Sequence, residues 1–136
     1  MNTFRLKIVT PDGSKYDGDA ERVVVRTTSG DVAIMARHIN YVAPLGMGEA
    51  AVTAQGNTRT AACMGGMVSV MDGEVTLVPM TFEWAEDIDV ARAAESERRA
   101  QNILQQKDAD DRQLLLAKAR LKRALVRQSA AAHKPK

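Results

Sequence analysis

Glu83-Trp84-Ala85-Glu86-Asp87-Ile88-Asp89-Val90-Ala91-Arg92-Ala93 is where the chain changes character. All nine glycines lie between Gly13 and Gly73, and none follows. Glycine serves sharp turns and positive φ but is costly inside a helix. The chain before this stretch therefore reads as short strands joined by tight turns, and the chain after it as long helix. Acids crowd the helix start, where Asp87 and Asp89 complement its positive end. On this reading the 136 residues divide into a β-sandwich domain, 1–85, and a helical hairpin, 86–136, with a loose C-terminal end. The fold class is α+β: an antiparallel sandwich followed by an antiparallel two-helix hairpin.

Upstream of the junction, Asp72-Gly73 between Met67 to Met71 and Glu74 to Val78 is the strongest hairpin cue. Gln55-Gly56-Asn57 joins Ala50 to Ala54 with Asn57 to Met64. Ser29-Gly30-Asp31 joins the β-branched run Arg22 to Thr28 with Val32 to Met35. Phe4 to Ile8 alternates apolar and charged, the period of a half-buried strand, and Pro11-Asp12-Gly13-Ser14 ends it as a turn. His38 to Gly46 reads as irregular. Turns at this spacing predict an antiparallel sandwich or barrel, not a parallel sheet.

Downstream, Asp87 to Gln106 and Arg112 to Gln128 have helical composition, separated by Lys107-Asp108-Ala109-Asp110-Asp111, where an Asp can cap the second helix. Leu114, Ala117, Leu121, Ala124 and Leu125 form an apolar stripe, and Ala93, Ala100 and Leu104 supply the facing seam. A short loop makes the helices antiparallel neighbours. Ser129 to Lys136 reads as a loose end. Burying each seam leucine is worth about 1.5–3 kcal/mol. The sum is comparable with the roughly 5.5 kcal/mol that moves a two-state equilibrium from 1:99 to 99:1. Such a tail suits a switch.

Charge is uneven. Residues 1–86 carry seven Lys/Arg and ten Asp/Glu, residues 87–136 carry twelve and seven, and from Arg112 onward there are eight bases and no acid. An acidic partner for the tail, or a merely solvated helix face, would each account for that. Arg120, Arg123 and Arg127 fall within about 60° on the second helix, and Arg92 and Arg99 share a face of the first. Two such faces could clamp a polyphosphate, because guanidinium groups match phosphate oxygens bidentately. An exposed face that keeps the tail soluble is the plainer account of the same spacing.

Catalysis and metal binding find little support. Gly46-Met47-Gly48-Glu49-Ala50-Ala51 matches a dinucleotide fingerprint, but a strand-like run follows where a helix must open. His38 and His133 are the only histidines, and nothing places a nucleophile or a set of ligands beside them. No catalytic residue and no metal site is expected. Cys63, the only cysteine, reads as a small buried hydrophobe. Core packing is the expectation for Met35, Met47, Met64, Met67, Met71 and Met80, although methionine also suits partner surfaces. Met1 to Lys7 lacks the apolar run of a secretory signal, and nothing approaches the roughly 20 apolar residues of a membrane span.

Several segments in order resemble the epsilon subunit of bacterial F-type ATP synthases, called delta in mitochondria. They are Leu6-Lys7-Ile8-Val9-Thr10-Pro11, Tyr16-Asp17-Gly18, Thr28-Ser29-Gly30-Asp31 followed by His38, Gly65-Gly66, and Ile88-Asp89-Val90-Ala91-Arg92-Ala93. The resemblance spans essentially the whole chain. It implies a ten-stranded sandwich in the rotating central stalk, packed on the gamma subunit and the membrane c-ring. His38 would lie toward gamma and Ser29, Gly30 and Asp31 toward the c-ring. The hairpin would be the regulatory part: folded on the sandwich it permits turnover, and extended along gamma it hinders ATP hydrolysis. Lys118, Arg120, Lys122, Arg123 and Arg127 would then meet an acidic segment of the catalytic beta and alpha subunits.

In some family members ATP stabilises the folded hairpin through an I/L-D-x-x-R-A motif. Ile88, Asp89, Arg92 and Ala93 match it here, and Glu83, Arg99, Arg123 and Arg127 would complete the site. The resemblance thus implies regulatory ATP, no required cofactor, no catalysis by this subunit, no nucleic-acid partner and no direct membrane insertion. It places the chain peripherally on the cytoplasmic face of the bacterial plasma membrane, in a proton- or sodium-translocating complex. The chain departs from the family at Ala36-Arg37, where Pro-Gly usually precedes the histidine, and at Ile39-Asn40-Tyr41 after it. Asn40 and Tyr41 would answer a matching change in the partner. Two rival readings come from other classes: a basic-helix nucleic-acid binder, disfavoured by an acidic β part with few aromatics, and a stand-alone ATP sensor.

Overall fold

The computed structural model describes residues 2–135. Ten strands come first: β1 Phe4–Thr10, β2 Gly13–Ala20, β3 Arg22–Thr27, β4 Gly30–Met35, β5 Tyr41–Pro44, β6 Met47–Ala54, β7 Asn57–Met64, β8 Met67–Met71, β9 Glu74–Val78 and β10 Thr81–Trp84. They stack as two five-stranded sheets, ordered β2-β1-β9-β8-β5 and β10-β7-β6-β3-β4. A single 3-10 turn, Ala85–Asp87, leads to helices α1, Val90–Leu104, and α2, Asp111–Ala131. The architecture is the expected sandwich followed by two helices.

Alternation builds the core. Along β1 every second residue is buried, and Leu6 and Ile8 meet Val23, Val25, Ile34, Val68, Val70 and Leu77 between the sheets. The strands read from composition are all present. Three further strands, β2, β5 and β10, lie at sheet edges. Gly13, Asp17, Gly18 and Asp19 make β2 a poor strand by propensity, which an edge tolerates because only one side must pair. Pro44 lacks an N–H and so fits the edge strand β5. The sandwich is also not wholly antiparallel. β1 runs parallel to β9, with Leu6 opposite Val75 and Ile8 opposite Leu77. Tight turns report only antiparallel neighbours, and these two strands are far apart in sequence.

Two glycines are set by close approach. A Cβ on Gly48 would come within 2.5 Å of the Arg26 Cβ, and one on Gly66 would come within 2.0 Å of the Val78 carbonyl oxygen. The dinucleotide-like stretch Gly46 to Ala51 therefore leads into and forms the first part of β6, where Gly48 is set by strand packing.

In the hairpin, α1 begins at Val90 rather than Asp87, because residues 85–87 are spent on the 3-10 turn. Asp110 caps α2: its carboxylate accepts from the Gln113 backbone N–H and the Gln113 side chain accepts in return from the Asp110 N–H. Ala93, Ala100, Ala117 and Ala124 are buried where the helices meet. Leu125 is not part of that seam. It is 46% exposed, one residue and hence 100° round from Ala124, and Gln128 continues the row by donating to Glu97 Oε1 at 2.7 Å.

The supposed loose end is also partly ordered. α2 continues past Gln128 to Ala131, and Ala130 and Ala131 are buried. They pack with Ile88, Ala62 and Met64, flanked by Met47 and Val126. Along β7, Ala61 and Cys63 enter the sandwich core while Ala62 and Met64 face the helix. No residue belongs to both clusters. The hairpin rests on the sandwich without entering its core.

Candidate functional site

The junction between sandwich and hairpin is pinned by a few directional contacts. The Arg59 guanidinium lies 3.7 Å over the Trp84 ring and donates to Glu86 Oε1 at 2.7 Å. That hydrogen bond holds the Glu86 carboxyl below its ordinary range. The Trp84 indole N–H donates to the Lys15 carbonyl at 3.3 Å. Asp89 then starts α1 by accepting from the Arg92 backbone N–H at 3.0 Å, so this motif aspartate is a helix cap.

Beside the junction lies a cleft of about 550 Å³, bounded by the sandwich (Asp12, Lys15, Thr81, Glu83), the junction (Asp87, Asp89), α1 (Arg92, Ala93, Ser96) and α2 (Arg127). Arg127 Nε donates to Glu83 Oε1 at 2.6 Å and ties α2 to β10. A second tie runs from Ser129 Oγ to Glu49 Oε1 at 3.1 Å, with His133 Nε2 3.7 Å from the same oxygen. A depression of about 420 Å³ adjoins the cleft on the helices alone, lined by Arg92, Glu95, Ser96, Arg99, Ala100, Ile103 and Arg120. Arg92 and Ser96 border both cavities. Glu95 is bound by Arg98 and Arg99, and the Arg98 hydrogen bond keeps its carboxyl below the ordinary range.

Of the eight residues named for a nucleotide, Glu83, Asp89, Arg92, Ala93 and Arg127 border the cleft and Arg99 the depression. Ile88 lies in the docking cluster beneath them, and half-buried Arg123 lines neither cavity. Of the basic face, Lys118 and Lys122 are exposed, Arg120 enters the depression and Arg127 is committed to Glu83. Sequence reasoning did not bring Asp12 and Lys15 to this site. They stand beside β10 only because of how the sheets stack, and no local pattern carries that.

Ser29, Gly30 and Asp31 form the β3–β4 turn. Thr27 Oγ1 accepts from the Ser29 N–H and donates to the Gly30 carbonyl, and Arg26 Nε binds Asp31 Oδ1 at 2.7 Å. His38 follows the other end of β4, about 20 Å away along the strand. Its Nδ1 lies 2.8 Å from the Ile39 carbonyl oxygen, and its ring meets Tyr41 edge-on. Arg37 before it has φ +68°, a conformation that explains glycine as the usual family residue. Asn40 Oδ1 accepts from the Asp72 N–H at 2.8 Å and Tyr41 packs on the core, so both have a role inside this chain.

The outer face of the first sheet is mixed: Arg5, Lys7 and Glu74 are exposed on it, and apolar side chains are exposed among them. Val9, Val42, Met67, Met71 and Val78 are all exposed there, with Met67 opposite both Pro44 and Val78, and Ile39 stands at its end 76% exposed. Met35 and Met80 are exposed as well. The expectation of core packing therefore fails for Met35, Met67, Met71 and Met80, while Met64 is buried and Met47 flanks the hairpin seam. Cys63 is buried as expected, and burial pushes its thiol up to about 12. Among the described residues no group of His, Cys, Asp or Glu is arranged to hold a metal, and no helix is long and apolar enough to cross a membrane.

Comparison with known proteins agrees along the whole length. The beta-sandwich domain of the ATP synthase delta/epsilon chain matches residues 3–85, and the long alpha-helix domain of that chain matches residues 86–132. The ATP synthase epsilon chain of Bacillus velezensis is 41% identical over 131 residues, covering 96% of this chain and 98% of that one. That of Shouchella clausii is 37% identical over 134 residues, covering 98% of each. A chain in the Euglena gracilis mitochondrial ATP synthase has the same fold, with a TM-score of 0.85 at 21% identity over 98% of this chain and 83% of that one. The chain belongs to the ATP synthase delta/epsilon family, whose members are non-catalytic subunits of the synthase.

Proposed function

We propose that the chain works in the rotor stalk on the cytoplasmic face of the bacterial plasma membrane, with residues 1–85 as anchor and residues 86–136 as regulator. The exposed Val9, Val42, Met67, Met71 and Val78 of the first sheet, with Ile39 and His38 at its end, suit gamma, because grouped exposed apolar side chains favour docking. The polar turn Ser29 to Asp31, at the far end of β4, suits the c-ring loops. The hairpin in the form described here is the permissive state, and ATP is its regulatory ligand. Released, α2 presents Lys118, Arg120, Lys122, Arg123 and Arg127 to acidic segments of the catalytic subunits.

One observation carries the regulatory reading: the 550 Å³ cleft has walls from the sandwich and from both helices. A ligand bound there touches both units at once, so it favours the docked state by its differential affinity alone. The test exploits residues that line neither cavity, Lys118, Lys122 and Arg123. Each exposed ion pair is worth about 0–1 kcal/mol, so only the combined change is informative. In the assembled synthase, Lys118→Gln/Lys122→Gln/Arg123→Gln should raise ATP hydrolysis several-fold and leave co-purification with gamma intact. Hydrolysis no higher than wild type would reject the basic brake.

A further inference from the structure

We infer that Arg37 sets which gamma subunit this chain accepts, and that the surface receiving it carries a carboxylate beside an apolar recess. This rests on the docking reading above and names the chemistry at one point of that contact. Met35 to His38 form a tight turn at the end of β4, closed by the His38 N–H donating to the Met35 carbonyl at 3.2 Å. Arg37 is the third residue of the turn, at φ +68°, a place that suits glycine or asparagine. Gln55 and Asp72 also have positive φ, but each directly precedes a glycine in a two-residue hairpin turn, where both positions need it. Arg37 has no such reason. A long charged side chain held in the left-handed region is an outlier that points to a role outside the fold.

The tip around Arg37 is braced from within. Asn40 Oδ1 accepts from the Asp72 N–H at 2.8 Å, His38 Nδ1 lies 2.8 Å from the Ile39 carbonyl oxygen, and the half-buried His38 ring meets Tyr41 edge-on. What the tip offers outward is exposed Arg37, with Met35 54% exposed on one side and Ile39 76% exposed on the other. Among the described residues Arg37 makes no salt bridge. A partner that covers Met35 and Ile39 also takes the guanidinium between them out of water. A charge buried without a partner is strongly unfavourable, and a carboxylate matches the guanidinium fork. A gamma surface shaped for glycine at this position has no need of that carboxylate and would leave Arg37 unpaired. One side chain thus favours one partner and rejects another.

Binding of the full chain to the synthase's alpha-beta-gamma complex stripped of this subunit tests the inference. Arg37→Gln keeps a side chain in the strained turn and removes the charge. It is expected to weaken binding about tenfold, the loss of one charge-assisted contact, with Arg37→Lys in between because an ammonium keeps the charge without the fork. Arg37→Glu is expected to weaken binding about a hundredfold, since two carboxylates then face each other. Ile39→Ser is expected to weaken binding through the apolar contact alone. Arg37 and Ile39 are exposed, so unchanged urea midpoints separate these losses from loss of the fold. Wild-type affinity in Arg37→Gln while Ile39→Ser binds weakly, or Arg37→Glu binding no worse than Arg37→Gln, would overturn the inference and leave docking through this face standing. Wild-type affinity in both Arg37→Gln and Ile39→Ser would instead remove the docking reading, and this inference with it.

Discussion

Ala130→Glu should free the hairpin while the sandwich stays folded. Ala130 is fully buried between α2 and β7, in the cluster with Ala62, Met64 and Ile88. A carboxylate there has no cationic partner in that cluster, and burying an unpaired charge costs several kcal/mol. The seam consists of one isoleucine, one methionine and three alanines, with Met47 and Val126 at its margin. At about 25 cal/mol per Å² such a contact contributes only a few kcal/mol after ordering costs. Undocking is therefore the cheaper escape. The sandwich core is a separate cluster and loses nothing by it. The variant should keep the strand signature and the environment of Trp84, lose detectable ATP binding because the cleft needs both units, and inhibit ATP hydrolysis more strongly than wild type. Loss of the sandwich together with the hairpin, or ATP binding at wild-type affinity, would show that the seam does not govern docking.

Gly66→Ala should be the most damaging small change in the sandwich. Gly66 has φ +86°, and an added Cβ would stand 2.0 Å from the Val78 carbonyl oxygen and 2.7 Å from the Pro79 Cα. Both obstacles are backbone, so no rotamer change relieves them. Left-handed strain and overpacking together are expected to cost about 3–5 kcal/mol, a large part of a small domain's stability. Gly73 is the control. Its φ is +84°, yet a Cβ there meets nothing within 4 Å, so Gly73→Ala should cost about 1–2 kcal/mol from strain alone. Urea denaturation of the two variants separates the effects. Equal losses would mean that the β7–β8 connection yields more easily than its backbone contacts imply.

These outcomes follow from features that differ in how plainly the sequence shows them. Central strands announce themselves because both of their edges and one face are constrained. The alternation in Phe4 to Ile8 and the apolar run at Val23 to Val25 are direct records of that burial. Edge strands carry less of that record, as in β2, β5 and β10, whereas β4, also at an edge, is marked by its Ser29-Gly30-Asp31 turn and the apolar run that follows. The parallel pairing of β1 with β9 joins residues some seventy positions apart, and no turn between them marks it. The helical seam is legible in the sequence except at Leu125, which follows Ala124 in the chain but lies 100° round the helix from it and is exposed. The docking seam was harder, since alanine is compatible with either a buried or an exposed helix face, and Ala130 and Ala131 declare themselves only against Ala62 and Met64. The site residues on the helices lie at readable spacings. Asp12 and Lys15 reach the cleft through tertiary packing alone.

The central claim is that the hairpin opens as a unit of its own. Native-state hydrogen exchange, residue by residue, tests it most directly. The amides of α1 and α2 should exchange through an opening several kcal/mol below that of β1, β8 and β9, and saturating ATP should slow the helix amides while leaving the strand amides unchanged. Helix and strand amides that exchange together in one global unfolding, with or without ATP, would contradict it.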